Sequence, residues 1–383
     1  MTQTQTPPFG WFGMPPDFAT NIQDFFNKLV ATPRVMEIAR RIPKGATPCE
    51  TVYEEDNLRL LRYTWGPEKK HRTPLLIAFA LVNRPYILDL MPNKSVVRHF
   101  LNAGFDVYLI DWGVPSHGDR HLGLETYVER YMHHCVDAIR RRCNVPQINL
   151  MGYCMGGTMA AMYTALHGDR VRNLILMTAP IDFSQRESLL SLWADEKYFD
   201  VDAFVEVYGN CPPQWLQMSF LMLKPVTNLL EKYVTFYEKM TDEQFVEDFM
   251  AMEQWVNDNI PLAGETYRQF VRYGFQQNLL VQGRWPIGGR NVNLHDISCP
   301  ILNLMATADH LVPCGQSRLF NDLVGSADRE SIELKAGHIG LAVGSKAQSE
   351  LWPKACEWLA KRSESRSEPR PATPAKPRTS RKR

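Results

Sequence analysis

Gln147-Ile148-Asn149-Leu150-Met151-Gly152-Tyr153-Cys154-Met155-Gly156-Gly157 is the stretch whose reading decides the fold. Gln147 to Met151 has the apolar run of a buried strand, and Gly156 to His167 has the character of a helix. Cys154 therefore falls on a sharp strand-to-helix turn flanked by glycines. Such a turn holds its central residue in a strained conformation, and its neighbours must lack bulk for strand and helix to approach. The pattern is G-x-S-x-G with cysteine in the place of serine, the setting of a nucleophile elbow. The helix N-terminus beside the sulfur favours its thiolate. The N–H of Met155 points where an oxyanion would form. The plainer alternative is a buried structural cysteine at a glycine-rich turn.

Working outward, strands and helices alternate. Leu58 to Tyr63, Pro74 to Val82, Asp106 to Asp111 and Asn173 to Met177 read as strands. Ser95 to Ala103 and Tyr127 to Arg142 read as helices. That rhythm predicts a mostly parallel sheet. It stops near Phe183. Residues 183–292 are rich in Trp, Phe, Tyr, Met and Pro, with helical periodicity and no strand rhythm, and predict an inserted helical cap. Strands return at Pro300 to Ala306 and Ser331 to Leu334, and a last helix is expected over Ala347 to Lys361.

Two loops complete the elbow. Asp309 follows the strand ending at Met305, and His338 stands between small residues after the strand ending at Leu334. The order nucleophile, acid, histidine is that of an α/β-hydrolase fold. Each loop alone reads as an ordinary turn. Together they predict a triad of Cys154, His338 and Asp309. The second oxyanion donor is expected from the loop after Pro74 to Ala80, with Val82 the candidate and Asn83 the alternative. His310 either braces the site or merely packs. A thiol nucleophile forms an acyl-enzyme that is itself a thioester, so the acyl group stays activated for transfer to an alcohol. That favours acyl transfer from a coenzyme A thioester over hydrolysis.

The predicted organisation is an N-terminal arm over 1–48, core segments 49–182 and 293–362, the cap 183–292 and a disordered tail 363–383. The arm is expected to be poorly ordered to about residue 18. Beyond that it is helical, with Phe18, Ile22, Phe25, Phe26, Leu29 and Val30 at turn-like spacing, packing on the body or docking to a partner. The eight cysteines form no Cys-x-x-Cys and no Cys/His cluster, so no metal and free thiols in a reducing compartment are expected. The first residues lack the pattern of a secretory signal, and the longest apolar run is too short to span a bilayer. A soluble cytoplasmic protein is the expectation. The net charge of +1 excludes a chain-wide basic surface for nucleic acid. Basic residues gather in Arg362 to Arg383, which leaves the rest net negative. That tail is either a solvated segment or a contact for an anionic surface or nucleic acid.

From Tyr53 to Arg362 the chain resembles the polyhydroxyalkanoate synthases, in particular the short catalytic subunits of classes III and IV. The resemblance is carried by Ala80 to Leu90, Gly104 to Gly113, Gly152 to Gly157, Gly264 to Phe270, Asp309 to Pro313 and Gly337-His338. Met155 and Thr158 look more like class IV. The resemblance implies that Cys154 is acylated, that His338 is its base and that Asp309 is the third member. It implies polymerisation of (R)-3-hydroxyacyl-coenzyme A, chiefly 3-hydroxybutyryl, on a growing polyester chain with release of coenzyme A. No cofactor is implied, since the thioester is substrate. A second synthase subunit, a homodimer and a place on the surface of cytoplasmic polymer granules are implied as well. The competing readings are a thioesterase or other hydrolase of the same fold, and a non-catalytic granule scaffold.

Overall fold

A computed structural model describes residues 18–366. Eight strands form one sheet: β1 (Cys49–Glu55), β2 (Leu58–Tyr63), β3 (Leu75–Ala78), β4 (Val107–Asp111), β5 (Ile148–Tyr153), β6 (Val171–Met177), β7 (Ile301–Ala306) and β8 (Arg329–Leu334). Their spatial order is β1-β2-β4-β3-β5-β6-β7-β8. The β1–β2 and β2–β4 pairs are antiparallel, and the rest of the sheet is parallel. The central strands β3, β4, β5 and β7 are buried at every residue, as strands covered by helices on both faces must be.

Flanking helices include α1 (Phe18–Arg41), α2 (Val96–Asn102), α3 (His133–Cys143) and α4 (Met155–Leu166). The Ser95 hydroxyl starts α2 by accepting the Arg98 N–H at 3.0 Å. A π-helical stretch, Thr126–Met132, runs straight into α3, so the single helix expected over Tyr127 to Arg142 is there with a wider first half. The last helix, Trp352–Arg362, lies where expected.

Four differences from the sequence reading have local causes. β1 escaped notice because its Glu50, Glu54 and Glu55 belong to an exposed edge strand. The apolar run Pro74 to Val82 is strand only through Ala78; Phe79 to Val82 then leaves the sheet toward the elbow. The cap is helical over Leu189–Trp193, Val201–Tyr208, Pro213–Met222, Lys232–Lys239, Glu243–Val256 and Gly264–Gln269. It closes, however, on a hairpin of Trp285–Ile287 and Arg290–Val292, with arms too short to show alternation.

The fourth difference is at the chain's end. Arg362 is no part of a free tail: its guanidinium holds both Asp328 oxygens at 2.8 Å and reaches Glu330. Ser363 accepts from the buried Asn149 amide at 3.0 Å, Ser365 bridges to His71, and the Arg366 N–H donates to Lys70 O. Residues 363–366 are thus docked on the core. The remainder of the predicted tail, 367–383, lies outside the described residues, as do residues 1–17 and the side chains proposed for the apolar face of α1. The part of α1 with described side chains packs on the cap. Arg34 pairs with Glu243, and the Lys28 ammonium stands 4.1 Å from the centre of the Tyr237 ring. Among the described residues no helix is long and apolar enough to cross a membrane.

Candidate active site

The elbow is built by β5 entering α4. Cys154 sits between them with φ 56° and ψ −130°, a conformation that costs a side-chain-bearing residue about 1–3 kcal/mol. A Cβ on Gly152 would stand 2.5 Å from both Gly156 O and the Gly157 Cα, so the crossing closes only with glycine there. The Cys154 N–H donates to Met177 O at 2.9 Å, which ties the turn to β6.

The three predicted triad residues come together from three strand ends. Asp309, past β7, has a fully buried side chain. One carboxylate oxygen accepts the N–H groups of Leu311 and Val312 at 2.8 and 2.9 Å. The other accepts from His338 Nδ1 at 2.6 Å. The loop's own amides thus aim the carboxylate, and the carboxylate aims the imidazole. Cys154 also stands close enough to the His338 ring to act on its protonation. Burial disfavours the imidazolium, but Asp309 and then Cys154 outweigh it, and the His338 pKa is pushed up to about 10. The other seven thiols are all pushed up by burial, away from the nucleophilic form.

That shift has a sign. A group whose pKa rises on folding contributes stability that is complete below its ordinary value of 6.5 and is lost as pH climbs through about 10. The gap in thermal midpoint between the parent protein and His338→Asn, followed by calorimetry from about pH 6 to about pH 10.5, is expected to narrow by several degrees. A gap independent of pH over that range would contradict the charge arrangement described.

Of the oxyanion candidates, Met155 is the first residue of α4, so its N–H lies outside the helix's own ladder. Val82 lines the same cavity as Cys154 and Met155. The Asn83 side chain is turned to its own backbone, accepting the Arg84 N–H at 2.7 Å. His310 corrects one expectation: the residue is exposed, and what it offers is its main-chain carbonyl, which accepts the Ser188 hydroxyl at 3.0 Å. It ties the acid loop to the cap and does not brace the triad with its ring.

Three supports were not foreseen. The Tyr153 ring stacks on the His338 imidazole at 5.1 Å, and its hydroxyl donates to His338 O at 3.2 Å. The Trp112 indole donates to Phe79 O at 2.9 Å and so pins the segment leading to Val82. The Thr158 hydroxyl donates to Pro180 O at 2.7 Å and fixes a wall of the cavity. All three lie inside or beside motifs visible in the sequence, but their partners are distant along the chain.

Cys154 opens into a cavity of about 720 Å³ between core and cap. Its lining is mainly apolar, with Trp193, Phe199, Trp215, Phe220 and Tyr267 from the cap and Leu311 from the acid loop. Such a space accepts a hydrocarbon-rich acyl chain and keeps bulk water from the sulfur. Glu129, His133 and His167 are close enough together to hold a metal ion, but they surround the far end of α4. There Glu129 is already engaged by His167 at 2.9 Å and Arg290 at 2.7 Å.

Comparison with known proteins decides the family. A model described as poly-beta-hydroxybutyrate polymerase (PhaC) N-terminus matches residues 10–100, and one of the alpha/beta hydrolase fold matches residues 87–345. The poly(3-hydroxyalkanoate) polymerase subunit PhaC of Haloferax mediterranei is 47% identical over 335 residues, 88% of this chain and 68% of that protein. The chain belongs to the PhaC family. The PhaC subunit of Allochromatium vinosum is 41% identical over 350 residues, 91% of this chain and 98% of its own. That of Synechocystis is 43% identical over 84% and 86%. Among solved structures, a monoacylglycerol lipase of Paleococcus ferrophilus superposes with a TM-score of 0.52 at 16% identity, covering 80% of this chain and 100% of its own. That likeness is one of fold alone.

Proposed function

We propose that the chain is the catalytic subunit of a poly(3-hydroxyalkanoate) polymerase that grows its polyester through an acyl group held on Cys154. The observation that carries this reading is the alignment of Asp309, His338 and Cys154 at the floor of an apolar cavity, in a chain of the PhaC family. His338 takes the thiol proton, and the raised pKa of the imidazole suits it to hold that proton between steps. The thiolate attacks the thioester carbonyl of an (R)-3-hydroxyacyl-coenzyme A, chiefly 3-hydroxybutyryl. The N–H groups of Val82 and Met155 receive the oxyanion. The carbon–sulfur bond to coenzyme A breaks, and the imidazolium returns its proton to the departing thiolate. The 3-hydroxyl of the chain end then attacks the acyl-cysteine and gives its proton to His338. An ester bond forms and the cysteine is released. No electrons are exchanged, so the cycle calls for no redox cofactor.

The cap has to move or part to admit monomer and release polymer. Among the described residues, all but three of the large exposed apolar side chains lie between Leu189 and Tyr237. Some of these, such as Trp193 and Trp215, line the cavity, and the rest support an apolar occupant of the cap. A second copy of the chain, a second synthase subunit and a granule surface are the occupants the family resemblance implies.

The test is to supply 3-hydroxybutyryl-coenzyme A to purified protein, with and without a candidate second subunit, and to follow coenzyme A, insoluble polymer and free 3-hydroxybutyrate together. Coenzyme A released in step with polymer is expected. Coenzyme A released in step with free acid would make the protein a thioesterase instead.

A further inference from the structure

The edge of the sheet opposite Cys154 carries a second pocket, of about 600 Å³, lined by Arg62, Arg72, Asp106, Tyr108, Arg142, Cys143 and Arg366. Arg62 lies near the end of β2, Asp106 just before β4, and Arg142 and Cys143 at the end of α3. These are the ends at which the parallel strands begin, whereas Cys154 stands where they finish. The length of β4 alone, roughly 16 Å, separates the two sites.

Among the described residues around this pocket, cationic side chains outnumber acidic ones. Arg62 engages Asp106 at 3.1 Å, and it shares one Glu50 oxygen with Arg142, at 3.2 and 3.0 Å. Glu364, at the rim, is held by Arg172 at 2.7 Å. Lys69 adds a further cation beside Arg62 and Arg366. Its ammonium nitrogen is buried and has no acceptor among the described residues. A buried ammonium without an acceptor is unfavourable, and cationic neighbours make it more so. Burial, with Arg62 and Arg366, holds the Lys69 amine below its usual range against the pull of Asp106. What the pocket lacks is a compact group with several anionic oxygens. Guanidinium forks on its wall match phosphate geometry, and the Lys69 ammonium, close to Asp106, Arg62 and Arg366, adds a further point charge beside it.

We propose that this pocket binds an oligophosphate group, free or carried on a nucleotide, away from the acyl-transfer site. The inference does not rest on the polymerase reading, because none of these residues touches the triad or its cavity.

The experiment is calorimetric titration of the full-length protein with sodium tripolyphosphate and, separately, with adenosine diphosphate. Saturable binding to one site is expected. Lys69→Gln and Arg142→Gln should each weaken it by about tenfold or more, and Lys69→Arg should restore most of the loss. Coenzyme A release by these variants should stay near the parent value, which shows that they fold. The combined Arg378→Gln, Arg381→Gln and Arg383→Gln protein should bind as the parent does. Adenosine diphosphate binding at least about tenfold tighter than tripolyphosphate would identify the ligand as a nucleotide, and similar affinities would identify the phosphate chain alone. Absence of saturable heat, parent-like affinity in Lys69→Gln, or loss of binding only on changing the three C-terminal arginines would each overturn the proposal.

Discussion

Cys154→Ala protein is expected to release no coenzyme A above background and to form no polymer, a fall in turnover of at least about a thousandfold. Its unfolding midpoint should move by no more than a few degrees. The two halves of this expectation have different causes. Activity is lost because no other group stands where an acyl chain could be held. The remaining thiols are pushed away from the thiolate, and Cys154 is the only cysteine among the groups that act on the protonation of His338. Stability is kept because the sulfur is only partly buried at the cavity floor and alanine retains the Cβ, so the strained turn is unchanged. Cys154→Ser sharpens the test. Its hydroxyl occupies the same place but is a weaker nucleophile toward a thioester, and the ester it forms lies lower in energy than an acyl-thioester. Slow acylation and a product shifted toward free acid are expected. Intact-mass measurement after brief exposure to substrate should find one added acyl group on the parent and none on Cys154→Ala. Near-normal turnover by Cys154→Ala would remove the covalent mechanism altogether.

What could be read in the chain and what could not divides along physical lines. The elbow was legible because part of its constraint is local: Gly152 is demanded by a crossing with Gly156 and Gly157, within a few residues of Cys154. Asp309 and His338 were legible because each follows a strand's C-terminus, an apolar one for Asp309 and a short exposed one for His338, and their order along the chain adds independent weight. Tyr153 was in plain view, yet its role depends on a ring contact with His338, 185 residues away, and no periodicity encodes that. Trp112 is similar: its value lies in one hydrogen bond to Phe79 O. For His310, position beside the acid could not decide between bracing and packing; the residue is exposed, and what it supplies is its carbonyl, which accepts the Ser188 hydroxyl. The edge strand β1 and the closing hairpin of the cap were hidden for a simpler reason. Their stability comes from pairing and from neighbours such as the buried Trp285, not from an alternating pattern of their own.

Gly156→Ala is expected to cost about 3 kcal/mol of stability, the upper part of the usual range for overpacking, and to take most of the activity with it. A Cβ at this position would stand 2.3 Å from Ala78 O and 2.5 Å from Phe79 O. Both obstacles are backbone at the end of β3, so no side-chain rotation relieves them. The only escape is to move α4 away from the sheet or to push Phe79 outward. The first carries Cys154 and the Met155 N–H away from His338. The second strains the Trp112 bond to Phe79 O and displaces Val82, which lines the cavity beside the sulfur. Fold and chemistry therefore fail together, because one close contact serves both. Gly168→Ala is the control: nothing lies within 4 Å of the added carbon and its φ is not in the left-handed region, so stability should change by no more than about 0.5 kcal/mol. Thermal unfolding and coenzyme A release, measured on the same preparations, decide the matter. Gly156→Ala should unfold about 4 degrees below the parent, the shift that about 3 kcal/mol makes against the unfolding entropy of a chain of 383 residues. A Gly156→Ala protein as stable and as active as the Gly168→Ala control would mean that strand and helix do not meet at this glycine, and the oxyanion geometry built on that contact would fall with it.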